Sequence, residues 1–293
     1  MIVQPPDSAL VLVNPVSGRA QGAQAMGRVE RAFRRCGVQA SVVLISEPDA
    51  ISREVEQKAP EMSAVVAVGG DGTISQVAKA IISAGGDWPL GLIPLGFGNC
   101  LARSFGLPLD IESAAEVIAR GRARALDIAW VRDRPVVYAL GAGFDADVLI
   151  RVDKARTGGV RLRDYLKGVW SAFCHYDWPW IEVEVDGRPL KNRYSQVILS
   201  PVHVYAVFFK LISGPGIRVY LFRSRPPKAL YYLPAMGLGR NLARAADLCL
   251  EVKHSLKMTA AINSVPLQID GEIGGFLPAT CEIKPAALKI FVP

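Results

Sequence analysis

The chain has 293 residues, 51% of them apolar, and its 34 lysines and arginines against 27 aspartates and glutamates give a formal charge of +7. That length and apolar content exclude a disordered chain and leave room for two domains, and the basic balance favours an anionic partner: nucleotide, nucleic acid or acidic membrane surface. The five cysteines, Cys36, Cys100, Cys174, Cys249 and Cys281, are scattered without a CxxC pair, which indicates neither a disulfide framework nor a zinc site and fits a reducing cytoplasm.

The opening MIVQPPDSALVLV lacks a basic n-region and is interrupted by Pro5, Pro6 and Asp7, so no signal peptide is read. Ala9 to Val13 has the pattern of a buried strand, and Asn14-Pro15-Val16-Ser17-Gly18 is a turn by composition. The next helix has Met26, Val29 and Phe33 on its apolar face and Gly37 as its C-terminal cap. Ser41 to Ile45 is a strand, and a polar helix starts near Asp49. Val65 to Val77, VVAVGGDGTISQV, then reads as strand, glycine turn and helix. Ile74, Val77, Ala78, Ile81 and Ile82 recur at helical spacing, and Thr73 with Gln76 has the form of a capping box.

Glycines in such a turn let the backbone approach a ligand, and free amides at a helix start favour an anion such as phosphate. Asp71 would repel bare phosphate, so it suits a cation that accompanies phosphate, or a hydroxyl. The plainer reading is an ordinary strand-to-helix turn with an acid where the helix dipole favours it. A second glycine turn follows the strand Gly91 to Leu95, in GLIPLGFGNCLARSFGLP; Asn99 is placed to cap a short helix through Phe105, and Asp110 caps another that ends at Gly121. Alternating strands and helices with short turns predict a doubly wound parallel sheet, with both glycine turns at its carboxyl edge.

After Arg124 the pattern changes. Leu126 to Trp130 and Pro135 to Leu140 are short strands, a helix carries Tyr165, Leu166, Val169, Trp170 and Phe173 on one face, and from Trp180 strands follow one another with turns such as Asp186-Gly187. A second, mainly antiparallel β domain is expected. Its entry holds Arg151, Lys154, Arg156, Arg161, Arg163 and Lys167 around Thr157-Gly158-Gly159: a solvated face, or a flap for phosphates or acidic lipid head groups. The longest apolar stretch, Val197 to Phe209, holds Pro201 and His203 and is too short to span a bilayer, so membrane contact is expected to be peripheral. Near the end, Val265 to Ile269 leads into Asp270-Gly271-Glu272. This is a hairpin turn by composition; two carboxylates in one turn could also serve a proton transfer and a metal, if the turn lies across a cleft from the glycine loops.

Taken in order, these segments resemble the diacylglycerol kinase catalytic-domain family, which includes sphingosine and ceramide kinases and bacterial lipid kinases. Asn14-Pro15 with Ser17-Gly18 resembles its NPxSG turn, Gly69 to Thr73 its GGDGT motif, Gly91 to Pro108 its GxxPxGTGNDxAR segment, Gly143 to Ala146 its GFDA motif and Asp270-Gly271-Glu272 its DGE, while Asp127 falls where the family carries an acid. Phe97 stands where the family usually has Thr, Cys100 where it usually has Asp, and Ser195 to Leu211 fits the family poorly.

The resemblance implies a nucleotide-binding α/β domain over residues 1–125 and a β-sandwich domain over 126–293, whose last strand packs back on the first domain. It implies transfer of the ATP γ-phosphate, with Mg2+, to a diacylglycerol-like or sphingoid lipid hydroxyl between the two. Asn14, Ser17, Gly18, Gly69, Gly70, Gly72, Thr73, Gly96, Gly98 and Asn99 would bind nucleotide, Asp71 and Asp127 would act through magnesium and water, and Asp270 would be the general base with Glu272 beside it. The protein would work in the cytoplasm against the inner, anionic membrane face in phospholipid biosynthesis; a homodimer is left open.

Two other readings stand beside this one. The first is a catalytically impaired relative that binds lipid or nucleotide, which Phe97 and Cys100 favour. The second is a soluble small-molecule kinase of NAD kinase type, which shares GGDG but not the opening and closing motifs. Nucleic-acid binding is set aside, because no basic stripe interleaves with aromatics. Cys100, with no histidine nearby in sequence, reads as a buried apolar residue and not a nucleophile.

Overall fold

A computed structural model of the chain describes residues 4–15, 22–45, 47–96, 98–154, 162–205, 209–211, 216–223, 246–261 and 264–293. Ser17, Gly18, Phe97 and the basic turn at 155–161 lie outside them. The chain divides into two compact units, Met1–Ile128 with Pro285–Pro293, and Ala129–Lys284.

The first unit holds β1 (Ser8–Val13), α1 (Gly22–Arg35), β2 (Gln39–Leu44), α2 (Pro48–Lys58), β3 (Ala64–Gly69), α3 (Asp71–Ser83), β4 (Leu90–Pro94), α4 (Cys100–Ser104) and α5 (Ile111–Ala119). Its four strands are parallel in the order β2-β1-β3-β4. The apolar runs in β1 and β3 are explained by burial on both faces. Ala9, Val11, Val13, Val66 and Val68 pack with Val29 and Phe33 of α1 and with Ile111, Ala114 and Ile118 of α5. The alternate residues Leu10, Leu12, Val65 and Ala67 are equally buried, toward the face that α2 and α3 cover. Asp110 caps α5 by accepting the Ser113 N–H at 2.8 Å.

The chain continues through β5 (Ala123–Val131), β6 (Arg134–Val136), β7 (Leu140–Gly143), α6 (Phe144–Lys154), α7 (Leu162–His175), β8 (Ile181–Val185) and β9 (Arg188–Pro189). Then come β10 (Gln196–Ser200), β11 (Val204–Tyr205), β12 (Phe209–Lys210), β13 (Ile217–Phe222), β14 (Leu248–Val252), β15 (Ser255–Ala260), β16 (Pro266–Ile269), β17 (Glu272–Phe276) and β18 (Ala279–Phe291). In the second unit an antiparallel sheet runs β14-β13-β10-β7-β16-β17. A second antiparallel layer pairs β15 with β8 and with the first residues of β18. Leu140, Val197, Val219 and Leu267 from one layer share a core with Val183, Leu256, Met258 and Cys281 from the other, which makes the unit a β-sandwich. The last residues of β18 belong to the first unit, where Ile290 pairs with Leu90 of β4.

The architecture is the one expected, a doubly wound α/β unit followed by a mainly antiparallel β unit, but three local readings change. The GFDA stretch opens a helix, α6, that its sequence did not announce: it packs on α7 through Phe144, Val148, Val152, Val169 and Ala172. Trp170 is not on the buried face of α7; it is 59% exposed, stacked on Phe173. The capping box does not form, because α3 starts at Asp71 with Gly70 as N-cap, which puts Thr73 inside the helix. Among the described residues no helix is long and apolar enough to cross a membrane.

Candidate functional site

In the first unit the direction of winding reverses between β1 and β3, and doubly wound sheets bind ligands at the carboxyl ends of such a pair. Asn14 follows β1 there, Gly69 ends β3, and Gly70 leads into α3 as its N-cap. The Asn14 N–H donates to the Val68 carbonyl at 3.1 Å, and its Nδ2 donates to Thr73 Oγ1 at 2.9 Å. The Thr73 side chain therefore ties α3 to the end of β1. Gly69 permits this packing, since a Cβ at that position would lie 2.8 Å from the Thr73 Cβ.

The second glycine turn meets the first, backbone on backbone. The Leu95 N–H donates to the Gly69 carbonyl at 2.8 Å, and a Cβ on Gly96 would stand 2.6 Å from the Gly70 Cα. Asn99 holds the N-cap position of α4, as expected, but in a left-handed conformation at φ 49° and with no side-chain capping hydrogen bond; its amide instead closes a ring with Gly96, Oδ1 accepting the N–H and Nδ2 donating to the carbonyl, both at 2.9 Å. Arg103 Nε donates to the Gly98 carbonyl at 3.0 Å. The α4 N-terminus is served by Asp71, whose Oδ1 accepts the Leu101 N–H at 3.1 Å.

Gly72 differs from its neighbours. A Cβ there would meet nothing within 4 Å, so packing does not demand glycine in the first turn of α3, where glycine costs about 1 kcal/mol relative to alanine. Open space beside the amides of a helix start is what an approaching phosphate requires.

For a cation that accompanies phosphate, the available oxygens are few. Among the described residues no three acidic, histidine or cysteine side chains gather into a metal cage. Asp71 has one oxygen on Leu101, and Asp127 has Oδ1 on the Ala286 N–H at 2.9 Å; among the described residues each keeps Oδ2 uncommitted. Either carboxylate by itself is the kind of ligand that magnesium takes, beside waters and phosphate oxygens. Cys100 is 2% exposed and lies next to the capped Leu101 amide, so it is the buried residue expected.

In the second unit Asp270-Gly271 is a two-residue hairpin turn between β16 and β17, with φ of 54° and 84°. The Asp270 carboxylate accepts three backbone N–H groups, from Val137 at 3.1 Å, Tyr138 at 2.7 Å and Ala139 at 3.1 Å. Glu272 pairs with Arg134 at 2.7 Å on the surface. Sequence reasoning assigned no role to a neighbouring cluster. Asp145 Oδ2 accepts Tyr205 Oη at 2.6 Å and Gln268 Nε2 at 3.3 Å. Asp145 retains some exposure as a residue, yet its Oδ1 is sealed from solvent and has no hydrogen-bond partner among the described residues. Burial pushes its carboxyl above the ordinary range, against the opposing effect of the Tyr205 and Gln268 hydrogen bonds. The three residues are far apart in sequence, and no spacing could have joined them.

Two glycine turns and a helix N-terminus that meet at a reversal of strand order are an arrangement that suits phosphate. Residues 8–131 match the diacylglycerol kinase catalytic domain, the family that the motifs of the sequence resemble.

It is 27% identical over 285 residues to a diacylglycerol kinase of Bacillus subtilis (strain 168), covering 92% of this chain and 91% of that one. A probable lipid kinase YegS-like of Yersinia pestis (strain Pestoides F) is 34% identical over 162 residues, 53% of each chain. An uncharacterized protein of Synechocystis is 26% identical over 241 residues, and there the match spans 79% of this chain but 55% of the relative's length. Among solved structures, a putative diacylglycerol kinase from Bacillus anthracis str. Sterne superposes with a TM-score of 0.77 at 16% identity, covering 98% of both chains, which speaks to the fold.

Proposed function

We propose that the chain is an ATP- and magnesium-dependent lipid kinase that transfers the γ-phosphate to a lipid hydroxyl at an anionic membrane surface. The observation that carries this reading is the meeting of the two glycine turns around Asp71 and Gly72 at the β1/β3 switch point. Support comes from relatives named as diacylglycerol and lipid kinases.

In this reading the amides of Gly70, Gly72 and Thr73 and the turn at Gly96, Gly98 and Asn99 hold the nucleotide phosphates, and Asn14, Ser17 and Gly18 are assigned to the same nucleotide. Phosphoryl transfer needs mainly positioning and charge neutralisation. Magnesium supplies the neutralisation when bound, and Asp71 and Asp127 are assigned to hold it through water. Asp270 is assigned as the acceptor's general base and Glu272 as its companion. Functionally, residues 1–125 serve the nucleotide and 126–293 the lipid. The formal charge of +7 draws the protein to anionic lipid from the cytoplasmic side. Asp71 beside Leu101 supplies an acid next to the position where Cys100 lacks one.

The test is transfer of labelled γ-phosphate from ATP into a mixed lipid extract in micelles. Asp71→Asn keeps an oxygen for the Leu101 N–H but removes the charge, and should cut transfer by about a hundredfold or more while melting stays near wild type. Nucleotide binding without transfer by the folded wild type would favour the impaired-relative reading that Cys100 raises, and labelling of NAD without lipid would favour the small-molecule kinase.

A further inference from the structure

The Asp145, Tyr205 and Gln268 cluster has no part in the chemistry above, yet it is built with care. Gly141 makes room for it: a Cβ on that glycine would fall 1.8 Å from Asp145 Oδ2. Gln268 is 3% exposed, and its two amide ends face in chemically opposite directions. Nε2 lies 3.3 Å from Asp145 Oδ2 and 3.5 Å from Tyr205 Oη, while Oε1 accepts the Gly271 N–H at 2.9 Å. A flipped amide would set an N–H against the Gly271 N–H and an oxygen against the carboxylate, so Asp145 selects the orientation that bonds Gly271. Tyr205 has a second hold, since its ring stacks on Tyr138 at 6.1 Å, and the Tyr138 N–H donates to Asp270 Oδ1.

We propose that Asp145 is a positioning residue which, through Gln268, fixes the backbone of the Asp270-Gly271-Glu272 turn. Val137, Tyr138 and Ala139 hold the turn by the Asp270 side chain; Asp145 and Gln268 hold it by the Gly271 N–H. The buried carboxyl need not be charged for this, because what the amide requires is an acceptor oxygen. The catalytic consequence rests on the kinase reading, whereas the positioning does not. The brace joins Asp145, from the GFDA stretch, to Tyr205, from the Ser195 to Leu211 stretch that departs from the family pattern.

The experiment pairs amide hydrogen exchange over residues 268–272 with steady-state kinetics on the full chain. Asp145→Ala should raise exchange at Gly271, and lower kcat, by about tenfold, the worth of one hydrogen bond to a partly buried group, without changing the KM for ATP. Asp145→Asn keeps an acceptor and should restore both. Gln268→Ala should reproduce Asp145→Ala, and the double variant should be no worse than either. The proposal is overturned if Asp145→Ala leaves exchange unchanged, if Asp145→Asn fails as badly as Asp145→Ala, or if the two losses add. If exchange rises while kcat holds, the turn's position does not govern turnover and the catalytic half is overturned. A wild type that transfers no phosphate defeats the kinase reading, and exchange still decides the positioning.

Discussion

Two carboxylates, Asp71 and Asp186, show how much one side chain can do by accepting backbone N–H groups. Asp71 was legible as chemistry but not as architecture: its charge inside a glycine turn is visible in sequence, while its bond to Leu101, thirty positions on, is not. Asp186 was legible only as half of a turn. It sits at φ 49° between β8 and β9, and its oxygens accept the N–H groups of Lys253, His254 and Ser255 at 2.7 to 3.2 Å. Partial burial would push its carboxyl up, but these three N–H groups, with His254 nearby, outweigh burial and hold it below the ordinary carboxylate range. A carboxyl lowered in the folded state contributes stability above its unfolded value, about 3.9, and loses it as pH falls through the folded one. Asp186→Asn should therefore melt below wild type at pH 7, and the gap should close as the pH is taken toward 3. Thermal melting across that range checks it, and a constant gap would mean that charge plays no part.

At the scale of elements, the glycine turns divide into those that packing requires and one that it does not. Gly96 is required, because a Cβ would press on the Gly70 backbone at 2.6 Å. Gly96→Ala should destabilise the first unit by about 1 to 3 kcal/mol and weaken nucleotide binding with it. Gly72 is not required, so Gly72→Ala should separate the two effects. Removing glycine from a helix with open space around it should add up to about 1 kcal/mol of stability, while the added methyl keeps phosphate from the α3 amides. Urea unfolding and ATP titration of the two variants measure this directly; equal ATP affinity in Gly72→Ala and wild type would remove Gly72 from the site.

The elements that carry this site were readable because they are local. A β-branched run, two glycines and a helical repeat follow one another within thirteen residues, Val65 to Val77. What was misread depended on neighbours distant in sequence. Thr73 was taken by Asn14 and not by its own helix start, the Asn99 side chain by Gly96, and Trp170 was left exposed because Val169 and Ala172 face the α6 side chains. The α6 helix begins directly after the glycines of β7, where local propensity points away from helix.

At the scale of the whole chain, the end of β18 shows why the order of residues along the sequence is a poor guide to which of them fold together. Pro285–Pro293 belongs to the unit formed by Met1–Ile128, although the whole of Ala129–Lys284 intervenes. Ile290 pairs with Leu90, the Val292 N–H donates to the Arg122 carbonyl at 2.8 Å, and Phe291 is 1% exposed in the core that β1, β3, α1 and α5 share. The closing contacts of the first unit are thus made by the last residues of the sequence. Truncating a fully buried phenylalanine to alanine costs about 3 to 5 kcal/mol, a large part of the stability of a domain this size. Phe291→Ala should therefore speed amide exchange in β1 and β3 by a hundredfold or more, while β10 and β13 of the other unit keep their protection. Ending the chain at Lys284, which also removes Leu288 and Ile290 from burial, should leave β1 and β3 unprotected. If β1 and β3 stay protected in both variants, the first unit closes its core without β18, and residues 1–128 would be expected to fold alone.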